Sequence, residues 1–574
     1  MAVDLREKAK ARLAREHGGV AIDRAAPVRF ALAFPNVYSL GMASLGYQLV
    51  YEMLNAQPDA SCERVFLPDP DDLAEHERSR TELFTLESLS PLSEFDAIGF
   101  SVSYELDYVN VLRMLRLANI PLRRRDRDET RPLVIAGGPC ATFNPEPLSE
   151  FVDAFAIGDS EESIPCIVQA LKSTSDGSRQ DTLAALAQVQ GIYVPHFHTP
   201  HYGDSGRVLR VANSAPAPEK VLRSITANLA QYPAGSTIRT SEGEFGEILL
   251  LEVMRGCGRH CRFCAAGYVT RPPWPREIGD VVDRARIGLV GAAIFDHPEA
   301  ENLCQAIIDA GGEFSVSSVR LETVTPAVAA LMARGGQKTL TIAPEAGTQR
   351  LRTFINKPST EDDMRSAISA AHQAGLNRIK MYFMIGLPTE TDEDVAAIAD
   401  LVRGVANGFP AISFQVSVSC FVPKPWTPFQ WVPMERESVL RRRFVALKRA
   451  ILSIGGVKFS GESPRLAMVQ GYLARGDRRI ADVIEAAMTN GGDYPAALRA
   501  TGVDVSDYLY RTRDEGETLP WDHVDLRVSK SYLWREYQRA LKGELTGPCR
   551  LDECTACGAC TPLIENPELT MHEL

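Results

Sequence analysis

The strongest constraint on this chain is residues 255–268, which read R-G-C-G-R-H-C-R-F-C-A-A-G-Y. Cys257, Cys261 and Cys264 stand in a C-x3-C-x2-C spacing. Thiolates this close in sequence can reach three corners of a cubane iron–sulfur cluster, because short loops let each sulfur find a separate iron. No fourth protein ligand lies nearby, which leaves one iron open to an exogenous ligand. Zinc, by contrast, prefers four ligands drawn from paired cysteines. The preceding segment, 248–254, is strongly apolar and reads as a buried strand. Placing a reactive group at the carboxyl end of a strand is the habit of barrel-type enzymes.

Strand-then-helix units follow. The apolar runs at 248–254, 288–294, 314–321, 338–343, 378–385 and 411–418 predict six strands. The clearest helix is 360–374, where Thr360 and Asp363 give a capping-box start and Gly375 a stop. Six βα units predict a partial (β/α)6 barrel rather than a full eight-fold one.

The first 215 residues alternate in the same way. Strands are expected at 28–34, 97–103, 133–136 and 151–157, with helices at 40–54 and 108–119. A further helix opens at Gly158-Asp159-Ser160, with Glu161 and Glu162 complementing its dipole. This alternation predicts a Rossmann-like, doubly wound parallel sheet. Ligands on such sheets bind at the carboxyl ends of the strands. Ser101, Ser103, Gly137 and Gly138 are therefore candidate ligand contacts, the glycines because they admit close backbone approach. Residues 172–240 are rich in Ser, Gly and Pro and read as a linker. The expected order is a first domain over 1–215, a linker over 216–244, a core over 245–460 and an α-rich region over 461–574.

That last region carries Cys549-x4-Cys554-x2-Cys557-x2-Cys560. Four thiols so close together are a metal signal. The compact C-x2-C-x2-C part suits a second four-iron cluster, with a structural zinc as the alternative. Of the 12 cysteines, the five outside the two clusters are scattered: Cys62, Cys140, Cys166, Cys304 and Cys420. Such usage fits metal sites in a reducing compartment rather than a disulfide framework. The amino terminus lacks the apolar stretch of a secretory signal, and no apolar run approaches membrane-spanning length. A cytoplasmic enzyme is the expectation. The net charge of −12 argues against non-specific coating of nucleic acid. The arginines at 123–125 and 127 are interleaved with Asp126, Asp128 and Glu129 and read as a solvated loop. The basic helix at 441–449 likewise reads as a solvated face.

The cysteine run, with aromatic Phe263 before its last cysteine, resembles the radical S-adenosylmethionine superfamily. That resemblance implies a [4Fe-4S] cluster whose open iron takes S-adenosylmethionine and cleaves it to a 5′-deoxyadenosyl radical. Segments 315–322, 343–347, 385–391 and 421–429 come in the order seen in the methylthiotransferase branch and its relatives. By that resemblance Glu345 holds the ribose diol. Ser317, Ser318, Arg320 and, more weakly, Lys380 contact the methionine carboxylate. The triplet Gly311-Gly312-Glu313 precedes the third strand instead of ending the second, so it reads as a turn; Asp296 and His297 stand at the second strand end instead.

The first domain is similar to the cobalamin-binding domain that precedes many such cores. The match is closest at Ile135-Ala-Gly-Gly-Pro-Cys140, Asn144-Pro-Glu-Pro147 and Ala156-Ile-Gly-Asp159. No D-x-H-x-x-G motif occurs, so the resemblance implies cobalamin without a protein histidine on cobalt. The implied function is cobalamin-dependent methylation of an unactivated carbon, on a substrate the sequence does not name. The implied partner is a reductant such as flavodoxin or ferredoxin. The alternatives are methylthiolation or another radical modification, with tRNA as one substrate class, and a non-catalytic cobalamin or redox sensor.

Overall fold

The computed structural model describes residues 4–226, 228–277, 286–549 and 554–560. The chain divides into two compact units. One comprises Met1–Leu249, Tyr472–Val505 and Gly516–Arg527; the other comprises Leu250–Gly471, Ser506–Glu515 and Val528–Leu574. Residues expected to form one C-terminal region are thus shared between the two.

In the first unit, β1 (Val28–Phe34), β2 (Ala60–Phe66), β3 (Ala97–Ser101), β4 (Leu133–Gly137), β5 (Ala154–Ala156) and β6 (Ile192–Tyr193) form a six-stranded sheet. Its order is β2-β1-β3-β4-β5-β6. The pairings from β2 through β5 are parallel, and β6 runs antiparallel to β5. β1 is a nearly unbroken apolar run, as a parallel strand covered on both faces should be.

β2 escaped the sequence pattern. It reads A-S-C-E-R-V-F, yet all seven residues are buried. The Glu63 carboxylate accepts from the hydroxyls of Thr85 and Ser88, each at 2.5 Å. Arg64 is held by Glu16 and Glu87, each at 2.6 Å. Paired charges take the place of apolar letters, so periodicity alone misses the strand.

Three further expectations change. The helix expected over 40–54 is two, Tyr38–Met42 and Leu45–Asn55. Of 151–157, only Ala154–Ala156 is extended. Much of the expected linker is folded: it contains the helix Arg179–Leu186, β6, an antiparallel hairpin of β7 (His198–Tyr202) and β8 (Val208–Asn213), and β9 (Val221–Leu222). β9 pairs in parallel with a short strand at Val524–Asp525. Its polar composition reflects exposed hairpin faces rather than missing structure.

The returning segments of this unit are fastened by a buried polar network. Glu146 accepts from the Tyr193 hydroxyl and from Arg478 Nε and Nη2, the latter two at 3.2 Å. Asn144 Nδ2 donates to the carbonyls of Ala474 at 3.1 Å and Gly476 at 2.7 Å.

In the second unit, β10 (Leu249–Glu252) leads into β11 (Met254–Arg255), which pairs antiparallel with β12 (Trp274–Pro275). β10, β13 (Arg286–Val290) and β14 (Glu313–Val316) form a three-stranded sheet in the order β10-β13-β14. β15 (Thr339–Glu345), β16 (Arg378–Ile385), β17 (Ser413–Cys420) and β18 (Val457–Gly461) form a four-stranded parallel sheet. All six expected strands are present, and β18 extends the second sheet beyond them. Among the described residues no ladder joins β14 to β15, so the six do not make one continuous barrel sheet. One backbone bond, Val319 N to Thr341 O at 3.0 Å, spans that junction. The helix Glu361–Gln373 starts on the expected capping box of Thr360 and Asp363, and Gly375 follows with φ +90°. No helix among the described residues is long and apolar enough to cross a membrane.

Replacing Glu146 with alanine strands the Arg478 guanidinium in a buried setting. The expected loss is about 3–5 kcal/mol of unfolding free energy, read by chemical denaturation.

Candidate active site

The cysteine loop begins where β11 ends. Gly256 has φ +79°, and a Cβ there would fall 2.0 Å from the Thr270 carbonyl oxygen, so only glycine makes this turn. Beyond it Cys257, Cys261 and Cys264 open onto one cavity of about 220 Å³. Arg259 of the same loop, with Asp296, Ser318, Arg320, Glu345 and Lys357, lines the same space. Burial pushes the Cys264 thiol up to about 12, and Cys261 and Cys257 push it further in the same direction. Burial likewise raises Cys257. Such thiols ionise when a cationic group binds them, and so form a donor set suited to a metal centre. Among the described residues, no three Cys, His, Asp or Glu side chains converge on one point as a single ion would need. A cubane makes a different demand, since each thiolate goes to its own iron. Three thiols spread along one cavity wall fit that demand.

The loop itself is neither helix nor strand, so its backbone groups need partners from elsewhere. Asn356 supplies one and ties it to Thr546. Its Nδ2 donates to the carbonyls of His260 at 3.1 Å and Thr546 at 3.0 Å, and its Oδ1 accepts from Thr546 N at 2.9 Å. Asn356 has φ +57°, a conformation asparagine tolerates better than most residues. Arg262, fully buried, donates to the carbonyls of Phe354 at 2.8 Å and Glu544 at 2.6 Å. Cys549 N donates to Gly258 O at 2.6 Å. Arg259 makes a two-pronged ion pair with Asp296 at 2.7 and 2.6 Å. Phe263 packs on a buried cluster that includes Phe354, Phe421 and Phe429.

The strand ends carry strain. Glu345 closes β15 with φ +69°, just past a register shift in its pairing with β16. Thr389 follows β16 with φ +67°, and Trp426 follows β17 with φ +59°. Three successive strands end near residues held in the left-handed region, a cost typical of functional sites. The Glu345 carboxylate is paired with Lys357 Nζ at 3.0 Å. Burial alone would lower the Lys357 ammonium, but Glu345 and Cys261 outweigh it and raise it above its ordinary value. Arg320 Nη1 lies 4.0 Å from Cys261 Sγ.

The structure thus brings Glu345, Ser318 and Arg320 together with the three cysteines. Ser317 is exposed and is not on the cavity wall. Lys380 lies midway along β16, its ammonium 4.7 Å from the Tyr382 ring centre, also off that wall. Asp296 reaches the cavity, whereas His297 is buried and bonds the Arg276 carbonyl at 3.0 Å. Gly311 turns the chain with φ +80° after the helix Ala300–Asp309, and Glu313 opens β14, as the turn reading expects. Sequence reasoning missed Arg259 and Lys357. Arg259 sits inside the motif and could have been singled out as the cation beside the thiols. Lys357 has no local signal, since it reaches Glu345 only when the chain returns after the helix Gln349–Phe354.

In the first unit, strand order reverses between β1 and β3, the position where such sheets bind ligands. Asn36 follows β1, and its Nδ2 donates to Asp107 Oδ1 at 2.9 Å. Asn110 Nδ2 donates to the same oxygen at 3.2 Å and to Pro35 O at 3.0 Å. Burial raises the Asp107 carboxyl to about 6, the two amides opposing it. Two apolar side chains stand exposed at this end, Leu40 at 40% and Tyr104 at 38%. Ser101 pairs with Gly137 in the β3–β4 ladder, and Ser103 is exposed beyond it. Gly138 has φ +97°, and a Cβ there would meet the Val102 carbonyl oxygen at 2.8 Å. Asn36, Asp107 and Asn110 were not foreseen; the Pro35-Asn36 break after β1 was their only trace.

The four C-terminal cysteines belong to the second unit. Cys557 is buried, Cys554 exposed, and Cys549 and Cys560 in between. Burial raises the Cys560 thiol to about 11, with Cys557, Cys549 and Cys554 adding to it. None of the four lines the 220 Å³ cavity.

Residues 251–402 match the family model of the radical SAM superfamily, and residues 46–195 match the model described as radical SAM proteins, N-terminal. The chain belongs to the radical SAM superfamily. This radical SAM protein is 28% identical over 498 residues to an uncharacterized protein of Methanocaldococcus jannaschii, covering 85% of this chain and 97% of that one. It is 25% identical to an uncharacterized methyltransferase of Pyrococcus horikoshii, over 46% of this chain and 56% of the relative. It is 23% identical to a tRNA-2-methylthio-N(6)-dimethylallyladenosine synthase of Vibrio cholerae, over 36% of this chain and 48% of the relative. The chain thus spans about half the length of these last two. Among solved structures, the radical S-adenosylmethionine methyltransferase TsrM from Kitasatospora setae aligns over 90% of this chain and 99% of its own, with a TM-score of 0.47 and 14% identity. The superfamily architecture makes this radical SAM protein an enzyme.

Two outcomes follow. Asn356→Ala leaves buried backbone groups of His260 and Thr546 without partners and should cost about 1–3 kcal/mol in denaturation. A carboxyl raised by folding favours the protonated state. The contribution of Asp107 is therefore fully present below about pH 3.9 and is lost as pH rises through about 6. Asp107→Asn should remove about 3 kcal/mol of that decline, read from denaturation midpoints across the range.

Proposed function

We propose that Cys257, Cys261 and Cys264 hold a [4Fe-4S] cluster and that the cavity they face binds S-adenosylmethionine. The observation that carries this reading is the meeting of three thiols, three cations and two carboxylates in one cavity at the strand ends. Bound there, the cluster would supply the electron that cleaves the sulfonium. The chain's own residues bind and orient. Glu345, held at a fixed angle by its left-handed backbone, accepts hydrogen bonds from a ribose diol. Arg320, with Ser318 beside it, meets the methionine carboxylate. Lys357 keeps the Glu345 carboxylate aimed until a diol competes for it. The Arg259–Asp296 pair and Asn356 fix the loop so that the thiols keep their spacing.

The first unit, in this reading, binds cobalamin, whose methylated form supplies a methyl group to a carbon radical without demanding a nucleophile. The support is the switch point between β1 and β3. Exposed Leu40 and Tyr104 offer flat apolar contact, and Asn36, Asp107 and Asn110 offer polar groups for an amide-bearing rim. No histidine follows the carboxyl ends of β1, β3 or β4 in the turns at 35–38, 102–106 and 138–142. Cobalt would therefore take no protein histidine from them. Ser101, Ser103, Gly137 and Gly138 remain the proposed backbone and hydroxyl contacts there. The reaction is then methylation of an unactivated carbon, with a flavodoxin or ferredoxin as reductant and a cytoplasmic setting.

A second reading is methylthiolation, favoured by the partial likeness to tRNA methylthio synthases. It would need a sulfur source at the cavity, and the C-terminal cysteines do not line it.

Protein reconstituted without oxygen tests both parts. Cys257→Ala, Cys261→Ala and Cys264→Ala should each reduce formation of 5′-deoxyadenosine to background, measured by chromatography. Glu345→Gln should weaken S-adenosylmethionine binding about tenfold, or 1.4 kcal/mol, by calorimetry. Cobalt should be retained in a one-to-one ratio with protein after incubation with cobalamin. Retained cleavage in a cysteine variant would sink the cluster assignment, and failure to retain cobalt would move the reading to methylthiolation.

A further inference from the structure

The C-terminal cysteines are joined to the first cysteine loop by its own backbone. Cys549 N donates to Gly258 O at 2.6 Å, and Gly258 is the residue after Cys257. A Cβ on Gly258 would lie 3.7 Å from the Cys549 Cβ. The helix Lys530–Leu541 and the strand of chain after it hold this arrangement. Glu536 accepts from the Thr546 hydroxyl at 2.9 and 2.7 Å, and Ser529 N donates to Cys557 O at 2.8 Å. Fully buried Arg271 stands close behind the loop. Its Nη1 lies 2.7 Å from His260 Nε2, and its guanidinium carbon lies 5.1 Å from the Tyr268 ring centre and 5.9 Å from that of Tyr532. A buried cation needs anionic neighbours, and thiolates at Cys549 and Cys557 would be among them.

The two groups face different ways. Cys257, Cys261 and Cys264 open onto the 220 Å³ cavity, and none of the C-terminal four does. Cys554 instead lines a separate concavity of about 510 Å³ together with Arg535, Arg539 and Lys542. In a chain of net charge −12 a basic concavity stands out, and it would steer an acidic protein by long-range attraction.

We propose that Cys549, Cys554, Cys557 and Cys560 hold a second iron–sulfur cluster that serves as the electron inlet to the Cys257–Cys264 site, loaded by an acidic one-electron donor of the flavin or iron–sulfur class at Arg535 and Lys542. This rests on the loop cluster proposed above. The step is a one-electron transfer: the donor is oxidised by one electron, the C-terminal site takes it and passes it to the loop site, and no bond or proton moves. The backbone contact at Gly258 sets the gap between the two sites. The same placement makes the C-terminal cluster a poor sulfur source, because its ligands do not share the cavity where a substrate would sit.

The test uses the full chain reconstituted anaerobically with iron and sulfide. Wild type should bind about eight irons, and both a Cys554→Ser/Cys557→Ser variant and a Cys257→Ala/Cys261→Ala/Cys264→Ala variant about four each. Wild type reduced at both sites should show spin–spin broadening in its paramagnetic resonance spectrum, absent in either variant. Reduction of the loop site by reduced flavodoxin should slow about tenfold in Arg535→Glu/Lys542→Glu, with iron content unchanged and the deficit shrinking at high salt. Reduction of that variant by dithionite should match wild type. Zinc in place of iron at the C-terminal site, or an unaltered flavodoxin rate in the charge-reversed variant, overturns the inlet. A triple loop variant that keeps all its iron instead overturns the loop assignment and leaves the C-terminal site standing.

Discussion

The satisfaction of the cysteine loop's backbone is the constraint on which the second unit depends. A loop that presents three thiols to one cavity cannot close its own hydrogen bonds as a helix would. The partners come from far along the chain. Asn356 binds His260 O, Cys549 binds Gly258 O, and Arg262 reaches the carbonyls of Phe354 and Glu544. Each bond crosses about a hundred residues or more, so the loop is rigid only once β15, its following helix and the C-terminal helix are in place. The placement of Cys257 and its neighbours therefore depends on chain as far away as residues 544–549.

The same economy appears at the strand ends. Glu345, which lines the cavity, and Thr389 and Trp426 beyond the next two strands all hold left-handed backbone. Such strain persists only where surrounding packing over-determines it, and here the buried cluster of Phe354, Phe421 and Phe429 supplies that packing. A carboxylate fixed this way has a defined direction before any ligand arrives. Lys357 and Arg320 place positive charge within reach of Cys261, which favours anionic groups on that side of the cavity.

The first unit uses the opposite strategy. Its sheet is regular and largely apolar, and the interest lies where the strand order reverses. There, burial raises a carboxyl to about 6 beside two amides and two exposed apolar side chains. Such an arrangement offers shape and hydrogen-bonding groups, without a reactive group of its own.

The sequence by itself determined the elements whose signal is local. The cysteine spacing, the apolar strands β1, β4 and β16, and the Thr360–Asp363 cap were legible because each depends on neighbours in the chain. Glu345 and Arg320 were legible through the order of strand-end segments. What only tertiary structure decided has one physical reason, which is that partners distant in sequence supply the compensating charge or hydrogen bond. β2 hides as a polar string until Glu16, Glu87, Thr85 and Ser88 satisfy it. Lys357 looks like any lysine until it meets Glu345, and Lys380 looked eligible until β16 turned it toward Tyr382. The spacing of the C-terminal cysteines was legible in the sequence, but only the fold set Cys549 against Gly258, because that contact joins residues nearly three hundred positions apart.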